Sequence, residues 1–283
     1  MQRPTPSIEP AQGCAQRPSV EAVLRDTREF VYELKFYIAR SQAGALLQWV
    51  RTRLAPDPHG GGPHRDTYQV SSLYFDTTAY HVLGRHGSYA RTKYRIRRYN
   101  QSSTAYLERK TRGQARVFKR RSATTLERLL RLQSAQSSAD WEGHWFHRRL
   151  LVRSLGAVSR VDYRRVARVG HSNYGPVRLT LDEGLRVWPA REPRFDAAEG
   201  GAMLPDEQLI LELKFGVAMP GVFKQLICEF GPRADGISKY RLACQQLGLT
   251  PSERAASALA PYALADATGA VVPEPLELQR QAL

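Results

Sequence analysis

The stretch Arg91–Tyr99, RTKYRIRRY, carries a cation at every odd position from Arg91 through Lys93 and Arg95 to Arg97, with Tyr94 and Ile96 between them. Successive side chains of an extended chain point to opposite faces, so four positive charges share one side of a strand and apolar groups share the other. Like charges in a row destabilise a strand unless anions or carboxylates stand opposite. The same two-residue spacing groups Glu108, Lys110 and Arg112 in AYLERKTR, and Arg178, Thr180 and Asp182 in VRLTLDEGL. It also puts Glu212 beside Lys214 in LILELKF, where Leu209, Leu211, Leu213 and Phe215 take the other face. In YELKFYI, Glu33 and Lys35 share a side, opposite Tyr32, Leu34, Phe36 and Ile38.

The dyad Glu-x-Lys thus occurs three times, as Glu33 with Lys35, Glu108 with Lys110 and Glu212 with Lys214. A sheet with charges on one side and aliphatics on the other is satisfied by closing into a barrel whose lumen is polar and whose outside is covered by helices. Such a lumen suits a chain of phosphates: cations hold the oxygens, and the carboxylates hold a divalent ion such as Mg2+ or Mn2+.

Composition agrees with a polyanion partner. Of 283 residues, 42 are basic and 27 acidic, a net charge of +15, which attracts nucleic acid, nucleotides, phosphorylated lipids or polyphosphate. Seven of the 42 basic residues are lysines, and Lys35, Lys93, Lys110, Lys119 and Lys214 fall in the alternating segments. In a chain that otherwise uses arginine, an ammonium at these places marks a position where a compact point charge is wanted. With 42% hydrophobic residues the chain can bury a core, and its three cysteines follow neither a disulfide framework nor a zinc-ligand spacing. No apolar run is long enough to span a membrane, and the first residues lack a secretory signal, which places the protein in the cytoplasm.

Further strands are expected over Thr67–Asp76, Ala115–Ser122, Ala157–Val169 and Glu207–Gly216. Helices are expected from Ser41, as cap, to Leu54, from Thr124, over Trp141–Leu155, over Gly221–Phe230 and over Ser238–Leu247. Residues 1–27 read as a mobile extension and 251–283 as a peripheral segment around a domain of residues 28–250. Asp76 reads as a strand-end turn residue, Asp182 and Glu183 as caps of the turn at Gly184, and His144 with His147 as surface groups rather than metal ligands.

The ordered series YELKFYI, SSLYFDT, YRIRRY, LERKTR, VFKRR, SRVDYRRVA, VRLTLDEGL, LILELKF and ISKY resembles the VTC (vacuolar transporter chaperone) domain, a polyphosphate polymerase family of the triphosphate tunnel metalloenzyme (CYTH-like) superfamily. The resemblance implies an α+β fold, an antiparallel eight-stranded β-barrel with flanking helices. It also implies transfer of the ATP γ-phosphate to a growing polyphosphate with Mn2+ or Mg2+. Site by site, it implies that Arg95, Arg97 and Lys110 hold the transferring phosphate. Lys35, Lys93, Lys119, Arg160, Arg178, Lys214 and Lys239 would bind the remaining phosphates, and Glu212, with Glu33 and Glu108, the metal. Val31 stands where the superfamily pattern Glu-x-Glu-x-Lys has its first glutamate, which weakens a hydrolase reading.

Three rival readings remain open on the residues. A tripolyphosphatase or nucleoside triphosphatase would release phosphate without polymer. A silent module would bind polyphosphate or inositol pyrophosphate without turnover. Nonspecific RNA binding through basic, tyrosine-bearing strands is disfavoured by the carboxylates set among the cations. The partners expected are therefore ATP and inorganic polyphosphate, with no nucleic acid; the sequence carries no signal of oligomeric state.

Overall fold

A computed structural model of the chain describes residues 32–112, 117–195, 200–205 and 207–251. The expected extension 1–27 lies outside them, and of the segment 251–283 only Pro251 lies within. Eight long strands form one antiparallel sheet: β1 (Tyr32–Ala39), β3 (Thr67–Asp76), β4 (Thr92–Tyr99), β5 (Thr104–Arg112), β6 (Val117–Thr125), β7 (Gly156–Ser172), β8 (Gly175–Pro189) and β10 (Gln208–Phe215). Two-residue strands β2 (Ala55–Pro56), β9 (Ala202–Met203) and β11 (Arg233–Ala234) are added to it. The helices are α1 (Arg40–Arg51), α2 (His81–Gly84), α3 (His144–Val152), α4 (Gly221–Phe230) and α5 (Lys239–Gln246).

The spatial order is β11-β1-β10-β8-β7-β3-β4-β5-β6, with β2 beside β7 and β9 beside β8. Among the described residues no backbone ladder joins β6 to β1, so the expected closed barrel is an open sheet with two edges. It is nevertheless strongly curled. β1 and β5 stand six places apart in the order, about 29 Å in a flat sheet at ~4.8 Å per strand. Yet Lys110 Nζ on β5 donates to both carboxylate oxygens of Glu33 on β1, at 2.7 and 2.8 Å. Side chains meeting across the interior bring the two ends of the sheet together where hydrogen-bonded closure is absent.

The outer face carries the aliphatics. Leu209, Leu211 and Leu213 of β10, Leu179 and Leu181 of β8 and Phe36 and Ile38 of β1 are buried under Leu46 and Val50 of α1 and Phe223 and Leu226 of α4. A second layer places Phe146 of α3 edge-on to Phe75 and against Tyr94, over Leu73, Ile96 and Leu107.

Several element boundaries differ from the sequence reading. α1 starts after Ala39, and Ser41 lies inside it. Thr124 and Thr125 extend β6, paired with Ala105 and Thr104, so the helical spacing of TTLERLLRLQ is spent on a 3-10 turn over Glu127–Gln133. Arg40 accordingly precedes Ser41 as the first helical residue.

Asp76 is far more than a turn residue. Buried at the end of β3, its carboxylate accepts the backbone N–H groups of Thr77, Val82 and Leu83 and the hydroxyl of Tyr240 on α5, the last at 2.6 Å. Tyr240 stacks on Tyr74 at 5.4 Å, so α5 is clamped onto β3. Ser238, expected as the first residue of the helix, instead caps α5 by accepting the Arg241 N–H. Replacing Asp76 with alanine orphans three buried N–H groups and is expected to destabilise the fold by about 3 kcal/mol or more, whereas Tyr240→Phe, losing one hydrogen bond, is expected to lose about 1 kcal/mol. Urea denaturation of the two variants checks the ranking.

Candidate functional site

Antiparallel pairing converts the Glu-x-Lys dyads into a lattice. β1 and β10 align Glu33 with Lys214 and Lys35 with Glu212, so each carboxylate faces an ammonium across the strand pair. Lys35 lies 3.2 Å from Glu33 and 3.7 Å from Glu212, and Lys214 lies 2.8 Å from Glu212 and 3.7 Å from Glu33. Burial pushes both carboxyls up, but the surrounding lysines prevail and hold Glu33 below, and Glu212 well below, the usual range. The same carboxylates raise Lys35 above its ordinary value against the pull of burial.

On the opposite wall the register works differently. Lys93, Lys110 and Lys119 stand directly opposite one another on β4, β5 and β6, three ammoniums in a row. The next row is Arg95, Glu108 and Arg121. Glu108, buried, draws Arg95 and Lys119 to 2.7 Å and Arg121 to 3.4 Å. Burial raises it, and the cations Arg95, Lys119, Arg97 and Arg121 hold it well below its normal range.

Among the described residues Lys93 pairs with no carboxylate: its Nζ donates to Ser238 Oγ at 2.7 Å. Desolvation, then the nearby charges of Lys35, Lys110, Arg241 and Arg85, bring it down to about 7. Lys119 is lowered to about 8 by burial, with Arg95 and Arg121 adding to the shift and Glu108 opposing it. The interior holds more cations than its own carboxylates neutralise.

The floor between the walls comes from β3, β7, β8 and α5. Arg165 on β7 donates to both oxygens of Asp182 at 2.6 and 2.8 Å, and Lys239 of α5 reaches the same carboxylate at 2.6 Å. Asp182 is held down at about 2 by Arg165 and Lys239 despite its burial. It is therefore an interior ion-pair centre rather than the turn cap read from Gly184. Arg97 donates to Ser72 Oγ and to the Tyr163 hydroxyl, and Arg178 donates to the Tyr68 hydroxyl and pairs with buried Asp57 at 2.7 Å.

Of the expected site residues, Lys35, Lys93, Arg95, Arg97, Lys110, Lys119, Arg178, Lys214, Lys239, Glu33, Glu108 and Glu212 share this interior. Arg160 does not. It pairs across from Leu73, on the outward parity, is bound to Asp162 and lies over the Trp188 ring at 4.9 Å. The arginine that faces the interior from β7 is Arg165, aligned with Tyr68 and Asp182. VDYRRVAR holds arginines on both parities, so alternation alone does not say which set points inward. Glu108 shares no ion-pair partner with Glu33 and Glu212, so the three carboxylates do not form one cluster. His144 and His147, on α3, are tied to Ser137 and to the Ser134 carbonyl, away from the charged interior, and His147 is buried rather than the surface group expected.

The family model for the VTC domain matches residues 30–248, the segment that builds the sheet and α5. The chain belongs to the VTC domain family. No curated protein matches it significantly. Among solved structures it is similar to an adenylyl cyclase candidate from Hippeastrum described by a dominant triphosphatase activity, at 17% identity and a TM-score of 0.42, over 77% of this chain and 96% of that one. It is also similar to an adenylate cyclase candidate from Bacillus halodurans, at 15% identity and a TM-score of 0.48, over 75% of this chain and 96% of that one. No helix among the described residues of this VTC domain is long and apolar enough to cross a membrane.

Two outcomes test the interior as an anion site. Arg165→Lys, which keeps the charge but loses the planar fork, is expected to weaken tripolyphosphate binding about tenfold, while Arg160→Ala leaves it unchanged; calorimetric titration checks this. Lys93, largely neutral at pH 8 in the free protein, regains its proton when an anion settles beside it. Binding at pH 8 is therefore accompanied by proton uptake, read from the buffer dependence of the binding heat, and Lys93→Met is expected to diminish it.

Proposed function

We propose that this VTC domain is a polyphosphate polymerase, transferring the γ-phosphate of ATP to the end of a polyphosphate chain lying in the curled interior. The observation that carries the proposal is the row Lys93, Lys110 and Lys119, three ammoniums directly opposite one another on adjacent strands. The chain's own carboxylates Glu33 and Glu108 pair Lys110 and Lys119, while Lys93 has only the Ser238 hydroxyl, so an anion entering the row meets a cation that the chain leaves uncompensated.

Phosphoryl transfer asks a protein mainly for alignment and for neutralisation of charge on the equatorial oxygens. Arg95 is fixed by Glu108, and Arg97 by Ser72 and Tyr163, so both guanidiniums are oriented before substrate arrives. Lys110 is lent to Glu33 in the free protein and is available to a phosphate that displaces it. Lys35 and Lys214 extend the cationic track on the facing wall, and Lys239, Arg165 and Arg178 extend it across the floor. The acceptor's terminal phosphate oxygen is itself the nucleophile, so no serine, cysteine or histidine is needed.

Glu212 and Glu33 share Lys35 and Lys214, and two carboxylates beside substrate phosphates fit Mg2+ or Mn2+, which bind through one or two carboxylates and complete their shell with phosphate oxygens and water. Among the described residues no group of three or more His, Cys, Asp or Glu could hold a metal ion. When bound, that ion supplies further neutralisation of the transferring phosphate.

Incubation with ATP and Mn2+ is expected to yield ADP and a ladder of polyphosphate on gels. Lys110→Ala and Glu212→Gln are expected to lower the rate at least about a hundredfold, with the β-sheet circular dichroism spectrum retained. Release of inorganic phosphate without polymer would assign the site to triphosphate hydrolysis, and binding without turnover to a sensing module.

A further inference from the structure

A phosphate chain has no apolar face, yet one end of the interior is built of rings. Tyr68 on β3, Tyr99 on β4 and Tyr106 on β5 form a continuous belt, Tyr68 and Tyr99 at 5.7 Å and Tyr99 and Tyr106 at 5.7 Å, edge to face. The Tyr68 hydroxyl is engaged by Arg178. Tyr99 and Tyr106 make no hydroxyl hydrogen bond among the described residues; burial raises the Tyr99 hydroxyl, but Arg97, Arg121 and Lys119 bring it down to about 7. Arg121 lies flat on Tyr106, its guanidinium carbon 3.6 Å from the ring centroid, with its Nε toward Glu108 at 3.4 Å. Its side chain is 36% exposed, so a planar cation backed by Tyr106, with the Tyr99 ring at 5.7 Å, remains within reach of a ligand.

We propose that Arg121, backed by Tyr106 and Tyr99, is the stacking subsite for the nucleobase of a nucleoside triphosphate donor. A base has a π-face that stacks on guanidinium and aromatic planes whatever its hydrogen-bonding edge. The position is consistent with the phosphate track. Lys119 follows two residues away on the same face of β6, about 6.6 Å along the strand, and Arg95 and Lys119 share Glu108 with Arg121. A donor with its base on Arg121 therefore runs its phosphates inward over Lys119 and Arg95 toward Lys110. The acceptor chain then occupies the side of Lys93 and α5, so the two substrates meet from opposite ends. Arg121 and Tyr106 contact Glu108 and each other and offer the base a stacking plane, so adenine and guanine nucleotides are expected to bind alike.

This proposal rests on the reading of the interior as a phosphate site, and the test separates the two. The full chain is titrated calorimetrically with tripolyphosphate and with the β,γ-imido analogue of ATP, each with Mg2+. Arg121→Lys keeps the charge and removes the plane, and Tyr106→Leu removes the ring without changing charge. Each is expected to weaken the nucleotide analogue about tenfold and to leave tripolyphosphate within about twofold of wild type, which also shows that the variant is folded. Equal losses for both ligands, or none for either, would overturn the base subsite while leaving the phosphate site standing. A wild-type chain that binds neither ligand would overturn the phosphate reading and the subsite with it.

Discussion

Confinement of like charges on the concave side of one sheet is the constraint on which the rest of this structure depends. The cations of β4, β5 and β6 are buried deeply enough to lower Lys93 and Lys119 toward neutrality, and the chain's own carboxylates compensate only part of the positive charge. Glu33 on β1 is the piece of compensation that shapes the fold. Its pair with Lys110 joins strands six places apart across the interior of the curled sheet. An anion that competes for Lys110 changes the same contact that holds the two walls together.

Much of this was legible in the chain. The alternation at Lys93, Arg95 and Arg97, and the three Glu-x-Lys dyads, report facts about single strands, and the period of two makes every such fact readable from sequence. What alternation does not carry is the pairing of distant strands. The alignment of Glu33 with Lys214, the missing ladder between β6 and β1, and the meeting of Lys110 with Glu33 are long-range and have no local signature. Arg165 escaped for a different reason. Arginines at 160, 164, 165 and 168 populate both parities of β7, so the periodic signal there is degenerate, and only the partners Asp182 for one and Asp162 for another separate the interior side from the exterior.

Asp76 shows how a residue that reads as punctuation becomes architecture. A carboxylate at the end of β3 gathers the N–H groups of the following turn, an ordinary local role, and the same oxygens accept the Tyr240 hydroxyl from a helix 164 residues later. That one bond sets where α5 begins. Since Ser238 and Lys239 sit at its first turn, it also sets where Lys93 finds a hydroxyl and Asp182 its second cation. Structural and functional positions are here joined through a single buried carboxylate, which is why truncating it tests both.

The separation of the two faces has a consequence for how such a site tolerates change. Outer-face leucines and phenylalanines under α1, α3 and α4 supply the apolar burial, while the interior contributes desolvated charge that opposes folding unless paired. Groups whose ammonium form is disfavoured by the fold, Lys93 above all, contribute strain in the free protein that is relieved only when an anion arrives; binding affinity and ligand-free stability therefore trade against each other at those positions. At positions locked by a carboxylate, such as Arg165 and Arg95, the trade is absent, because removal of the cation leaves Asp182 or Glu108 buried with one partner fewer. The interior consequently contains two kinds of cation, one whose charge is owed to the protein and one whose charge awaits the substrate, and the register of β4, β5 and β6 decides which is which.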